Sequence, residues 1–80
     1  MRILDLDNDK AIQSIMLYLN IEEAKELLND LESLVHKNDL NAHAHIDDKE
    51  CQHEITVVIY NKENTSMLDK RSQKLIKENT

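Results

Sequence analysis

The chain of 80 residues contains no glycine, proline, phenylalanine or tryptophan, and it has a single cysteine, Cys51. Without glycine, tight turns fall to asparagine and aspartate, which tolerate left-handed backbone better than other residues that carry a Cβ atom. A glycine-rich phosphate-binding loop is excluded, and catalysis that needs close backbone approach to a substrate is disfavoured. Because Tyr18 and Tyr60 are the two aromatic residues, the core must be aliphatic.

The composition also narrows the range of partners and compartments. Few aromatic rings and a formal net charge of -6 argue against direct nucleic-acid binding, which uses base stacking and cationic contacts to phosphate. The apolar runs are too short to cross a membrane. A lone thiol and the lack of a signal-like apolar region predict a cytoplasmic protein. The richness in Asn, Lys, Ile and Asp suggests an AT-rich genome, such as that of a low-GC bacterium or its phage.

Hydrophobic periodicity predicts one small α+β domain over residues 1–80, with the element order β-β-α-β-β-α. The first strand is expected over about Arg2–Leu6, and the second over Ala11–Leu19. Between them, Asp5, Asp7 and Asp9 resemble the start of a calcium loop. The glycine and glutamate that such a loop requires are absent, so we interpret this segment as an Asx-rich hairpin turn.

The central helix carries the strongest local signals. Asn20 can cap it, and Glu23 three residues later completes a start that resembles a capping box. His36 and Lys37 suit the negative end of the helix dipole, and Asn38 can take the left-handed stop that glycine usually supplies. The apolar residues recur at helical spacing: Ala24, Leu27, Leu28, Leu31, Leu34 and Val35.

A second hairpin is expected over residues 40–60, with Asp47–Glu50 as its loop. Any even-length loop places Ala42, Ala44 and Ile46 opposite Ile55, Val57 and Ile59, which gives an apolar face for the central helix to cover. We therefore predict a four-stranded antiparallel sheet with the central helix on one face. A C-terminal helix is expected from about Ser66, with Asp69 three residues on as a start signal.

The opposite face of the second hairpin is the candidate site, because polar and apolar side chains alternate there. It holds His43, His45, Glu54, Thr56, Val58 and Tyr60. Met16 and Tyr18 join this face if the first hairpin extends the same sheet. Such a mixed face favours a contact surface, covered by a second subunit, by the last helix or by a ligand.

Two further groups of residues suggest specific chemistry. His43 and His45 at i and i+2, with Glu54 across the strand pair, match the donors of a divalent transition-metal site. Cys51 and His53 are expected to point to the other face. The last helix, Met67 to Lys77, is basic, so Lys70, Arg71 and Lys74 could bind a phosphorylated ligand.

The function that this pattern favours is a non-enzymatic, homo-oligomeric binding protein that occupies a partner protein or sequesters a small ligand, with or without a phosphate group. An inhibitor of bacterial or phage origin fits that description. The alternative is a small metal-binding protein or metal-dependent hydrolase, and a third hypothesis is an accessory subunit of a larger complex. No cofactor is expected under the first hypothesis. The predicted ligand or interface residues are His43, His45, Tyr18, Tyr60, Met16, Lys70, Arg71 and Lys74.

Overall fold

A computed structural model describes residues 1–37, 42–50 and 52–80. The elements are β1 (Ile3–Asp5), β2 (Lys10–Ile12), α1 (Ile21–Lys37), β3 (His43–Asp47), β4 (Glu54–Val58) and α2 (Lys70–Glu78). The described strands form two separate antiparallel sheets, β1–β2 and β3–β4. The α+β class is confirmed and the predicted four-stranded sheet is wrong. The chain groups into two compact units, Met1–Leu17 with Lys62–Thr80, and Tyr18–Asn61.

The second predicted strand is the reason the larger sheet does not form. It was expected over Ala11–Leu19, but β2 ends at Ile12 and residues 13–20 have no regular structure. Alternating polarity favours a strand, but a strand also needs a neighbour for its backbone N–H and C=O groups. Residues 13–20 have no such neighbour, so Met16 and Tyr18 lie outside the strands, and the expectation that they extend the sheet of His43 and His45 is wrong.

In the first unit, the hairpin turn uses the aspartates that its sequence offers. The Asp5 carboxylate accepts hydrogen bonds from the backbone N–H groups of Asp7 (3.0 Å) and Asn8 (3.3 Å) and from the Asn8 side chain (2.9 Å). The side-chain bond from Asn8 lowers the pKa of Asp5 most. Asp9 takes the left-handed conformation at φ 54°, and β2 then pairs Ile12 with Ile3. The interpretation as an Asx-rich turn is confirmed.

Helix α2 contacts this hairpin and starts later than predicted. Asp69, not Ser66, is its N-cap and accepts from the Ser72 backbone N–H at 2.7 Å, while the Ser66 hydroxyl donates to Asn64. The carboxylate of Asp69 is the better acceptor for an orphan N–H at a helix start. Leu75 is buried, and its carbonyl accepts from the Arg2 guanidinium at 3.2 Å.

In the second unit, α1 begins as the sequence indicates. The Glu23 backbone N–H donates to the Asn20 side chain (2.8 Å), and the Asn20 backbone N–H donates to the Glu23 carboxylate (3.0 Å). This reciprocal pair is a capping box. Leu34 of α1 and Ile46 of β3 are buried, and α1 contacts β3. The predicted stop at Asn38 lies outside the described residues.

The β3–β4 hairpin has the predicted register. Ala44 lies opposite Val57 and Ile46 opposite Ile55, and the Ile59 backbone N–H donates to the Ala42 carbonyl at 3.0 Å. The loop is longer than Asp47–Glu50, because Asp47 ends β3 and pairs with Glu54. The six intervening residues keep the loop even in length, so the apolar face is preserved.

Across the described ranges, no helix is long and apolar enough to span a membrane.

Candidate functional site

The outer face of the β3–β4 hairpin gathers a polar cluster around His45. Side chains alternate across a strand, and the register sets His45 opposite Thr56, with Glu54 diagonal to it. The His45 Nδ1 atom lies 3.1 Å from a Glu54 carboxylate oxygen and 2.9 Å from the Thr56 hydroxyl. The Thr56 hydroxyl donates to the same Glu54 oxygen at 3.0 Å. We call His45, Glu54 and Thr56 the His45 cluster.

One arrangement of protons satisfies all three contacts. If Nδ1 of His45 carries its proton, it donates to both oxygens, while the Thr56 hydroxyl proton is donated to Glu54. The imidazole is then held by one nitrogen and keeps Nε2 for a ligand or a proton. The side chains of His45 and Glu54 are about half exposed, at 51% and 50%, so the cluster is open to contact from outside the chain.

His43 stands beside this cluster without entering its hydrogen bonds. The rings of His43 and His45 pack edge to face with centroids 5.1 Å apart. Within residues 1–37, 42–50 and 52–80, no three His, Cys, Asp or Glu side chains are arranged to hold a metal ion. His43, His45 and Glu54 therefore share a face as expected without forming a preorganised metal centre, and metal binding stays a prediction.

The β3–β4 loop holds a second ionic contact that the sequence interpretation missed. The Asp48 carboxylate lies 2.6 Å from Nδ1 of His53 and accepts from the Gln52 backbone N–H at 2.8 Å. This hydrogen bond to His53 lowers the pKa of Asp48, and the same bond raises the pKa of His53. The available signal was an aspartate inside the predicted loop Asp47–Glu50, five residues before a histidine that follows the loop. Cys51, within that loop, lies outside the described residues.

The predicted interface residues before α1 are strongly exposed. Met16 and Tyr18 are 76% and 88% exposed. Ile15, before them, and Leu17, between them, are also exposed. We call Ile15–Tyr18 the apolar segment. Tyr60, two residues beyond β4, is half-buried. The structure thus places the predicted residues His43 and His45 on one sheet face, and Met16 and Tyr18 in the irregular stretch before α1.

The basic helix α2 presents less free charge than its sequence suggests. The Arg71 guanidinium donates to the Asp9 carboxylate at 2.6 Å and to the Asp9 carbonyl at 3.2 Å, and it also donates to the Thr80 main-chain carbonyl. Lys70 and Lys74 are exposed. Since Arg71 is engaged within its own unit, the phosphate-binding form of the prediction has two exposed cations instead of three.

Comparison with protein-family models, with curated proteins and with solved structures finds no match for this chain.

Proposed function

We propose that the chain is a non-enzymatic binding protein that acts by occupying a partner protein. The observation that carries this proposal is the apolar segment. Its four consecutive side chains are between 48% and 88% exposed, and its backbone lies outside the strands and helices of the described residues. Burying such a run contributes a hydrophobic free energy of roughly 25 cal/mol for each Å² of apolar surface removed from water, which offsets part of the entropy cost of association.

The partner expected for this segment is a protein with an open sheet edge beside an apolar surface. The segment alternates so that, once extended along an edge, Ile15 and Leu17 share one face while Met16 and Tyr18 share the other. If the segment added a strand to the partner's sheet, its backbone N–H and C=O groups would pair with those of the open sheet edge. Pockets for alternate side chains would give specificity. The net charge of -6 favours a partner whose rim is basic.

The test is site-specific photo-crosslinking in the producing cell. A photoreactive phenylalanine analogue replaces Tyr18 in one variant and Ser33, an exposed residue of α1, in the matched control. We expect one discrete crosslinked protein from position 18 and none of that mass from position 33. Adding Met16→Glu to the first variant should abolish the product, because a buried unpaired carboxylate opposes docking.

Identical products from positions 18 and 33, or a product that survives Met16→Glu, would contradict the proposal. The metal-dependent alternative is tested by elemental analysis of the chain purified without an affinity tag. Stoichiometric zinc or another transition metal, lost in the His43→Ala and His45→Ala variants, would replace the binding-protein proposal with the metal hypothesis.

A further inference from the structure

Helix α1 carries more apolar surface than its own unit covers. Leu34 is buried, and Ala24, Leu27 and Leu31 are partly buried. Ile21, Leu28 and Val35 remain 69%, 63% and 67% exposed. We call Ile21, Leu28 and Val35 the exposed stripe. Large apolar side chains left in water along one line of a helix mark a surface for helix packing.

The spacing of the stripe gives it the geometry of a helix-pairing seam. Its members are seven residues apart, so at 3.6 residues per turn they stay within about 40° of one another along about 21 Å of helix. Ala24 and Leu31 lie between the members of the stripe. Together the five residues follow one another at alternating steps of three and four positions. That is the pattern with which two helices interlock.

One flank of the stripe carries two charges of opposite sign. Lys25 and Glu32 lie next to the stripe on the side away from Leu34, and both are exposed. Neither has an ion-pair partner among the described residues of its own chain. They are seven residues apart, too far along the helix to pair with each other, so both remain available to charged groups on another molecule.

We propose that α1 is the interface of a two-fold symmetric homodimer, in which the exposed stripes of two antiparallel α1 helices pack together and Lys25 of each chain pairs with Glu32 of the other. In this arrangement Leu28 lies on the two-fold axis, and Ile21 of each chain meets Val35 of its partner. The inference concerns a surface separate from the apolar segment and does not rest on the partner-binding proposal.

The charges of α1 indicate which molecule packs on the exposed stripe and in which direction its helix runs. A two-fold axis between antiparallel helices brings the same flank of each together, so Lys25 meets Glu32 twice. In a parallel pair this flank would face the side of Leu27 and Leu34, which is turned toward the core, and neither charge would be paired. A surface that complements itself in charge and in apolar pattern is met by a second copy of the same chain.

The first experiment is sedimentation velocity of the full chain from about 5 to about 500 µM, a range over which mass action populates a weak dimer. We expect the wild type to shift from monomer to dimer with concentration. Leu28→Glu should stay monomeric throughout, while its circular dichroism keeps the helical signal because position 28 is exposed. Ser33→Glu, on the opposite side of α1, is the matched control and should dimerise as the wild type does.

The second experiment exchanges the charges. Lys25→Glu and Glu32→Lys should each weaken dimerisation about tenfold or more, because each places two like-charged pairs across the two-fold axis. The double variant, with both substitutions, should recover the wild-type dimer with the net charge of -6 unchanged. Lys49→Glu, a loop change of equal charge, should leave the dimer intact.

A chain that is monomeric at all concentrations would overturn the proposal and point to the stripe being covered within its own chain. A dimer that persists in Leu28→Glu, or single charge variants that the double variant does not rescue, would place the interface elsewhere and overturn it too. Crosslinking from position 18 is scored in Leu28→Glu as well, so loss of the dimer and loss of the partner protein are read separately.

Discussion

At the scale of single residues, the Asp48–His53 contact makes the stability of the β3–β4 loop depend on pH. The stability gained from Asp48, whose pKa is lowered, is present above the ordinary value of 3.8 and is lost as pH falls through the lowered pKa. The stability gained from His53, whose pKa is raised, is present below the ordinary value of 6.5 and is lost as pH rises through the raised pKa. The contact therefore stabilises the loop most at mildly acidic pH.

We predict that Asp48→Asn lowers the apparent pKa of His53 toward its ordinary value, because the amide carries no charge to favour the imidazolium. An NMR titration of the histidine ring protons measures this shift. Asp30→Asn, the same chemical change on α1, is the control and should leave the His53 titration where it is, because Asp30 is not among the groups that shift the pKa of His53. A His53 curve that does not move in Asp48→Asn would show that the carboxylate does not stabilise the charged ring.

At the scale of elements, the capping box of α1 is the best-defined local contribution to stability. We predict that Asn20→Ala lowers the free energy of unfolding by about 1 kcal/mol, because an orphan N–H of the first turn loses its acceptor. Urea unfolding followed by circular dichroism measures the loss. Asn29→Ala, at an exposed position inside the same helix, is the control. It should be neutral or slightly stabilising, since alanine is the better helix former.

A loss of the same size in Asn29→Ala would show that replacing any asparagine of this helix lowers the stability, and that the cap has no special role. The Asn20→Ser variant should keep most of the wild-type stability, because a serine hydroxyl accepts the same hydrogen bond.

The same elements show which parts of the fold could be predicted from the sequence. The cap of α1 and the register of β3–β4 depend on residues close along the chain, so Asn20 with Glu23, and Ala44 opposite Val57, could be predicted correctly. The length of β2 and the joining of the two sheets depend on whether a distant neighbour is present. Periodicity contains no information about that neighbour, and the strand predicted through Leu19 was wrong for this reason.

The candidate site divides in the same way. The shared face of His43, His45 and Glu54 follows from a period of two and was predicted. The engagement of Arg71 by Asp9 joins residues 62 positions apart, and no local pattern indicates it. The exposed stripe was hidden for another reason: Leu28 and Leu34 have the same helical periodicity, and a three-dimensional structure is needed to tell which of them is covered.

At the scale of the whole molecule, the chain has a small core. In the described part, the buried apolar side chains are Leu34 and Ile46 in one unit and Leu75 in the other. A domain of this size has a total stability of only about 4–12 kcal/mol, so each of these side chains is a large share of it. Covering the exposed stripe and the apolar segment would add to what this core supplies.

We predict that Leu34→Ala and Leu28→Ala, the same chemical change on one helix, differ in their dependence on chain concentration. At low concentration Leu34→Ala should cost about 3 kcal/mol, because it opens a cavity in the core. Leu28→Ala should then cost little, since its side chain is 63% exposed. At high concentration the cost of Leu28→Ala should grow, because stability gained by association is lost with the interface. Thermal unfolding at both concentrations measures this. If the difference between the stability lost in Leu34→Ala and in Leu28→Ala is the same at both concentrations, Leu28 contributes nothing through a second subunit.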